Sequence, residues 1–98
     1  MSGRPAKLES PYVDAWLAGH PGWERAGEGA VAKAFRFGDF ASALAFAVRV
    51  GCYAEKRDHH PELAITWGSA RVLWSTHDAG GVTRLDLDAA EACDAMKP

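Results

Sequence analysis

The spacing of apolar positions changes several times along this chain, and each change predicts an element. In "SPYVDAWLAGHPGW" Tyr12, Trp16 and Leu17 fall on one helical face. Ser10 suits the N-cap and Pro11 the first helical position, while Gly19 and Pro21 stop this short helix. Residues 1–9 ahead of it read as a disordered tail, so one domain is expected over 10–98. The period then becomes two. Val31, Phe35 and Phe37 alternate with smaller or polar residues, as in a strand from Ala30. Gly27 and Gly29 turn the chain between that strand and an earlier one at 23–25.

Asp39 is placed to cap a long helix running to about Lys56. Phe40, Ala43, Leu44, Ala47 and Val48 form one apolar stripe on it; Phe46, Val50 and Tyr53 form a second. Two stripes need two partners, a sheet and either another helix or another subunit. "ELAITWGSARVLWSTH" then reads as a hairpin, with Leu63, Ile65 and Trp67 alternating on the ingoing strand, a turn at Gly68-Ser69, and Val72 and Trp74 alternating on the returning one. This turn brings His77, at the end of the returning strand, near residue 61. Thr83 and Asp86 have the spacing of a capping box ahead of a last helix from Arg84 to Met96. The order is helix, two strands, helix, two strands, helix. It predicts an α+β fold, a four-stranded antiparallel sheet with helices packed on one face. The open sheet edge and the Phe46, Val50, Tyr53 stripe lead us to expect a homodimer or homotetramer.

Composition narrows the function classes. At 98 residues, 48% apolar and 24% charged, the chain has the make-up of one ordinary globular domain. A formal net charge of −2 gives no grip on a phosphate backbone, so no direct nucleic-acid binding is expected. No apolar run is long enough to span a bilayer, and "MSGRPAKLES" lacks the apolar core of a secretory signal. No membrane partner is expected, and a cytoplasmic location follows, with Cys52 and Cys93 as reduced thiols.

Candidate chemistry concentrates in "EKRDHHPE", residues 55–62. Of the four histidines, His20 precedes Pro21 in a turn and reads as structural. His59, His60 and His77 are brought together by the hairpin. Three histidines can bind zinc, but no pair here has helical i, i+4 or Cys-x-x-Cys spacing, and adjacent side chains before a proline point apart. No metal is therefore expected. A solvated turn accounts for Lys56, Arg57 and Glu62 but not for three imidazoles at one end of a sheet. Ser75 and Thr76 flank His77 without the pattern of an activated nucleophile. General acid/base chemistry without a cofactor suits these residues best, since imidazole gives and takes protons near neutrality. A metal site and a solvated turn remain its rivals.

"AEKRDHHPE", the hairpin segment, "STHDAGGVT" and Asp86 together resemble the pterin-4a-carbinolamine dehydratases, with further likeness in "GW" at 22–23 and "FRFGDF" at 35–40. The likeness spans residues 12–97. Leu63 and Ile65 stand where the family often has an aromatic residue and an asparagine. The resemblance implies dehydration of a small-molecule pterin, a 4a-hydroxytetrahydropterin, to the quinonoid dihydropterin. That step recycles the tetrahydropterin cofactor of aromatic amino acid hydroxylases. It further implies that His59 and His77 are the acids approaching the hydroxyl, while His60 holds the substrate and assists as base. Asp58, Ser75, Thr76 and Asp78 would line the pterin site, with Glu55 and Asp86 in support; Asp86 reads equally well as a helix cap. Some relatives are partner proteins or assembly factors, so a non-enzymatic interaction or dimerisation factor of the same fold is the alternative. The complete histidine set favours the enzyme.

Overall fold

The structure, a computed structural model, describes residues 5–98. Its elements are α1 (Ser10–Ala18), β1 (Glu24–Ala26), β2 (Ala30–Arg36), α2 (Phe40–Arg57), β3 (Glu62–Thr66), β4 (Ser69–Ser75), a 3-10 turn (His77–Ala79) and α3 (Arg84–Met96). The four strands form one antiparallel sheet in the order β1-β2-β4-β3. The expected α+β class, with helices on one face, is what the chain adopts. Register puts Val31 opposite Trp74 and Phe35 opposite Ala70, and all four are buried in the core beneath the helices. Ala34, Arg36 and Arg71, on the other sheet face, are exposed.

The helix starts and faces differ in part from expectation. Glu9, not Ser10, is the N-cap of α1, and Pro11 falls one position further in. The buried face becomes Val13 and Trp16, while Tyr12 is 52% exposed and its hydroxyl accepts from Arg84 Nη1 at 3.1 Å. Within the segment expected to be a loose tail, residues 1–4 lie outside the described residues, and the Leu8 N–H donates to Val82 O at 2.8 Å.

Asp39 caps α2 as expected, accepting the Ser42 N–H at 2.7 Å. That hydrogen bond, with the Ser42 hydroxyl, holds its carboxyl below the usual range. The two expected stripes of α2 are redistributed. Its buried face is Ala43, Phe46, Ala47, Val50 and Ala54. Phe46 and Val50 are thus core residues packed on the sheet, and they offer no patch for association. The exposed apolar ridge is Phe40 (47%), Leu44 (45%) and Val48 (57%). The large rings of Phe46 and Phe35, 4.7 Å apart, take the space over the sheet, so the rest of the first stripe turns outward.

The β3–β4 hairpin turns at Trp67-Gly68, one residue earlier than Gly68-Ser69. Gly68 supplies the positive φ of 72°. Trp67 is consequently a turn residue, 74% exposed, rather than the last residue of the ingoing strand.

The two cysteines sit in opposite environments. Cys52 is exposed on α2, whereas Cys93 is wholly buried on α3 and burial pushes its thiol up to about 12. A thiol-disulfide reagent at pH 8 is expected to label Cys52 alone in the native protein. Titration with Ellman's reagent before and after adding denaturant checks this; two fast native equivalents would contradict the packing.

Candidate active site

Residue 58 sets the geometry of the site. α2 closes with the His59 N–H on Ala54 O at 3.1 Å and the Asp58 N–H on Glu55 O at 3.3 Å. This paired closure requires a left-handed residue and usually employs glycine. Here Asp58 takes it, at φ 52° and ψ 42°, the only non-glycine residue with positive φ among the described residues. The reversal points His59 into the protein and leaves His60 outside, with Pro61 preventing the helix from continuing. Both Asp58→Gly and Asp58→Ala remove the carboxylate, but only glycine relaxes in this conformation. The alanine variant is expected to be less stable than the glycine variant by about 1 kcal/mol. Urea unfolding of the pair measures the difference; equal stabilities would contradict it.

His59 is 6% exposed and stacks on Trp74, with ring centroids 5.6 Å apart. Its Nε2–H donates to Asp86 Oδ1 at 2.6 Å. Asp86 is fully buried, and its other oxygen accepts from Thr76 Oγ1 and from the Thr83 N–H, each at 2.8 Å. Thr83 Oγ1 in turn accepts the Leu85 N–H at 3.2 Å and lies 2.9 Å from Thr76 Oγ1. Because Thr76 gives its only proton to Asp86, Thr83 must be the donor between the two hydroxyls. One carboxylate therefore closes the capping box of α3 and also fixes the ring plane and tautomer of His59. The two readings of Asp86 hold together. A buried carboxylate with three donors is satisfied, so its charge is tolerable away from water.

The other side of the site comes from the end of β4. An isolated bridge between Thr76 and Gly81 pinches off a short loop that presents His77 and Asp78. Gly80, at φ 78°, makes the turn. His77 opens a 3-10 turn instead of ending a strand. With Glu62 opposite Leu73, the register carried outward sets His77 across from residue 58, not residue 61. The one-residue shift of the hairpin turn accounts for most of this, since it moves every opposing partner by two. The convergence survives: Asp58, His59, His60, Ser75, Thr76, His77 and Asp78 all line a single cavity of about 250 Å³.

His60 is exposed, and its Nε2–H donates to Glu55 Oε1 at 2.9 Å. Both side chains are solvated (56% and 82% exposed), so the pair orients His60 only weakly. Glu55 does not line the cavity itself. Ser75 Oγ donates to Gly29 O at 2.7 Å, and Thr76 is committed to Asp86, so neither hydroxyl is arranged as a nucleophile. A second cavity, of about 450 Å³, reaches His59 from between α2 and α3, past Tyr53 and Leu85. Among the described residues no group of three or more His, Cys, Asp or Glu is placed to hold a metal ion. His20 is used structurally: it stacks on Trp16 at 3.9 Å and donates Nδ1–H to Trp16 O at 2.7 Å.

Sequence reasoning missed Trp74 and Thr83 as parts of this site. Trp74 fits the strand alternation and reads only as core; its place behind His59 depends on the Schellman-type reversal at Asp58. Its buried indole N–H has no well-formed hydrogen bond and lies by the thiol of Cys93. Thr83 was legible as a cap, and Asp86 as its partner. The missing step was that a carboxylate turned inward by a capping box has a second oxygen to share.

Comparison with known proteins adds an independent line. The sequence profile of the family described as "Pterin 4 alpha carbinolamine dehydratase" matches residues 6–96. A Paracoccus denitrificans protein described as "Putative pterin-4-alpha-carbinolamine dehydratase" is 45% identical over 96 residues, which is 97% of this chain and 89% of that protein. A Bradyrhizobium protein of the same description is 51% identical over 76 residues, covering 76% of this chain and 77% of its own. Among solved structures, a transcriptional coactivator/pterin dehydratase from Brucella melitensis superposes with TM-score 0.87 at 33% identity, over 94% of this chain and 99% of that one. A pterin dehydratase-like protein identified as a RuBisCO assembly factor of the alpha-carboxysome superposes with TM-score 0.66 over 80% of this chain and 92% of its own. At 21% identity it shares the fold alone.

Proposed function

The chain belongs to the pterin 4 alpha carbinolamine dehydratase family, and from that premise we propose that it is itself a dehydratase acting on a 4a-hydroxytetrahydropterin. The observation that supports this most is the joining of the His59–Asp86 pair to His60 and His77 in one cavity. In the proposed step the C4a–O bond breaks as an imidazolium protonates the hydroxyl, which departs as water. A ring nitrogen loses a proton to a base, giving the quinonoid dihydropterin. His59, held by Asp86, and His77 are the acids; His60 holds the ring and assists as base. Asp58, Ser75, Thr76 and Asp78 bound the pterin, with Glu55 steadying His60. Acid and base on a flat ring suffice for such a step, so no cofactor or metal enters it. The role is recycling of a hydroxylase's tetrahydropterin in the cytoplasm.

The direct test follows absorbance as synthetic 4a-hydroxytetrahydropterin dehydrates, with and without the protein and in the presence of EDTA. Acceleration over buffer, unchanged by the chelator, is expected. A rate equal to buffer would leave a non-enzymatic assembly or dimerisation factor as the reading. Loss with EDTA and recovery with zinc would overturn the metal-free mechanism.

The reading includes self-association as a homodimer or homotetramer, now through Phe40, Leu44 and Val48, whose apolar side chains are exposed. Val48→Asp is expected to lower the mass measured by light scattering at micromolar concentration. A wild type already monomeric there would contradict it.

No helix among the described residues is long and apolar enough to cross a membrane.

A further inference from the structure

A cavity of about 550 Å³ lies at the end of β2, against the first half of α2 and beside residues 97–98. It shares no residue with the histidine cavity. Its apolar wall includes Ala45 and the rings of Phe37 and Phe46, whose centroids are 5.3 Å apart. Its charged side chains are all cationic: Arg36, Arg49 and Lys97 line it, and no Asp or Glu side chain does. Lys97 Nζ sits 4.5 Å from the centre of the Phe37 ring. Among the described residues the ion pairs of Arg and Lys side chains engage Arg25, Lys33 and Arg84, and none engages Arg36, Arg49 or Lys97. The acid closest in sequence, Asp39, is occupied in capping α2 through the Ser42 N–H. Three cations thus meet at one pocket in a chain whose net charge is −2.

We propose that this pocket binds a small organic anion with a flat apolar body, an aromatic carboxylate, sulfonate or phosphate ester. The two guanidinium groups and the ammonium would take the anionic head, and the aromatic wall would take the ring. The volume falls within the range of small-molecule sites, about 300–1,000 Å³. The site is distinct from the apolar ridge. At about 100° per residue, Ala45 and Arg49 lie on a different flank of α2 from Phe40, Leu44 and Val48. The proposal does not depend on the dehydratase reading.

The test uses 1-anilinonaphthalene-8-sulfonate as the probe and its uncharged analogue N-phenyl-1-naphthylamine as the comparison. Fluorescence titration is expected to show one saturable site for the sulfonate and far weaker binding of the analogue. The double variant Arg36→Gln/Arg49→Gln should weaken the sulfonate about ten- to a hundredfold, the loss that follows removal of charge-assisted hydrogen bonds. Leu44→Ser/Val48→Ser, which alters the ridge, should leave the affinity unchanged. In ¹H–¹⁵N spectra, which also report that each variant is folded, the shifted amides should be those of Gly38, Ser42, Ala45 and Arg49. No saturable binding at millimolar probe would overturn the proposal. So would equal affinity in the arginine variant, equal affinity for the neutral analogue, or shifts confined to the ridge or the histidine cavity.

Discussion

Replacing Asp86 by alanine is expected to cost about 3–5 kcal/mol of stability, the range for breaking a buried charged network. The carboxylate is fully buried and accepts from His59 Nε2, Thr76 Oγ1 and the Thr83 N–H. Alanine leaves all three donors without that acceptor, and each unsatisfied buried donor costs about 1–3 kcal/mol. Urea unfolding measures the sum; a loss below about 1 kcal/mol would mean that water or rearrangement replaces the carboxylate. Asp86→Asn separates folding from catalysis. An amide oxygen can still serve Thr76 and Thr83, keeping the α3 cap. Its NH₂ then faces His59 Nε2, which must become an acceptor, and the ring proton moves to Nδ1. The asparagine variant should therefore fold with a smaller loss than alanine, yet turn over about 10²–10⁴-fold more slowly, as expected when the carboxylate that stabilises the imidazolium of a general acid is replaced by a hydrogen-bond donor.

The second large effect divides labour among the histidines. His59 is held by a buried carboxylate; His60 is solvated and tied only to an exposed Glu55. A group acting only in the transition state lowers kcat and kcat/KM together, whereas one that binds the ground state raises KM. His59→Ala and His77→Ala are each expected to lower kcat by about 10²–10⁴-fold where the residue is the sole acid. His60→Ala should act mainly on KM. Steady-state kinetics of the three variants decides; a His60→Ala variant with wild-type KM and a collapsed kcat would reverse the roles.

Much of this architecture was legible because its signals are local. The alternation of Val31 and Phe35, the Asp39 cap and the Thr83–Asp86 capping box each depend on a few neighbouring residues, and each formed as read. The seven residues expected around the substrate do line one cavity. The differences arose where a choice depends on packing. Either Trp67-Gly68 or Gly68-Ser69 makes an acceptable turn, and the register of β3 on β4 selected the first, exposing Trp67. The two stripes on α2 merged into one buried face, Ala43 and Ala47 from the first beside Phe46 and Val50 from the second, and the packing of Phe46 on Phe35 left Phe40, Leu44 and Val48 outside it. The stacking of His59 on Trp74 and its bond to Asp86 depend on a left-handed Asp58, which no periodicity announces.

The most direct test of the central claim is stopped-flow dehydration of each 4a epimer separately, with wild type, His59→Ala and His77→Ala. C4a is chiral, and two acids on opposite faces of the ring each suit one epimer. The wild type should accelerate both epimers, and the two variants should show opposite losses, with smaller losses on the racemate. If wild type is no faster than buffer, or if both variants turn over both epimers like wild type, the assignment of this cavity to histidine-catalysed dehydration is contradicted.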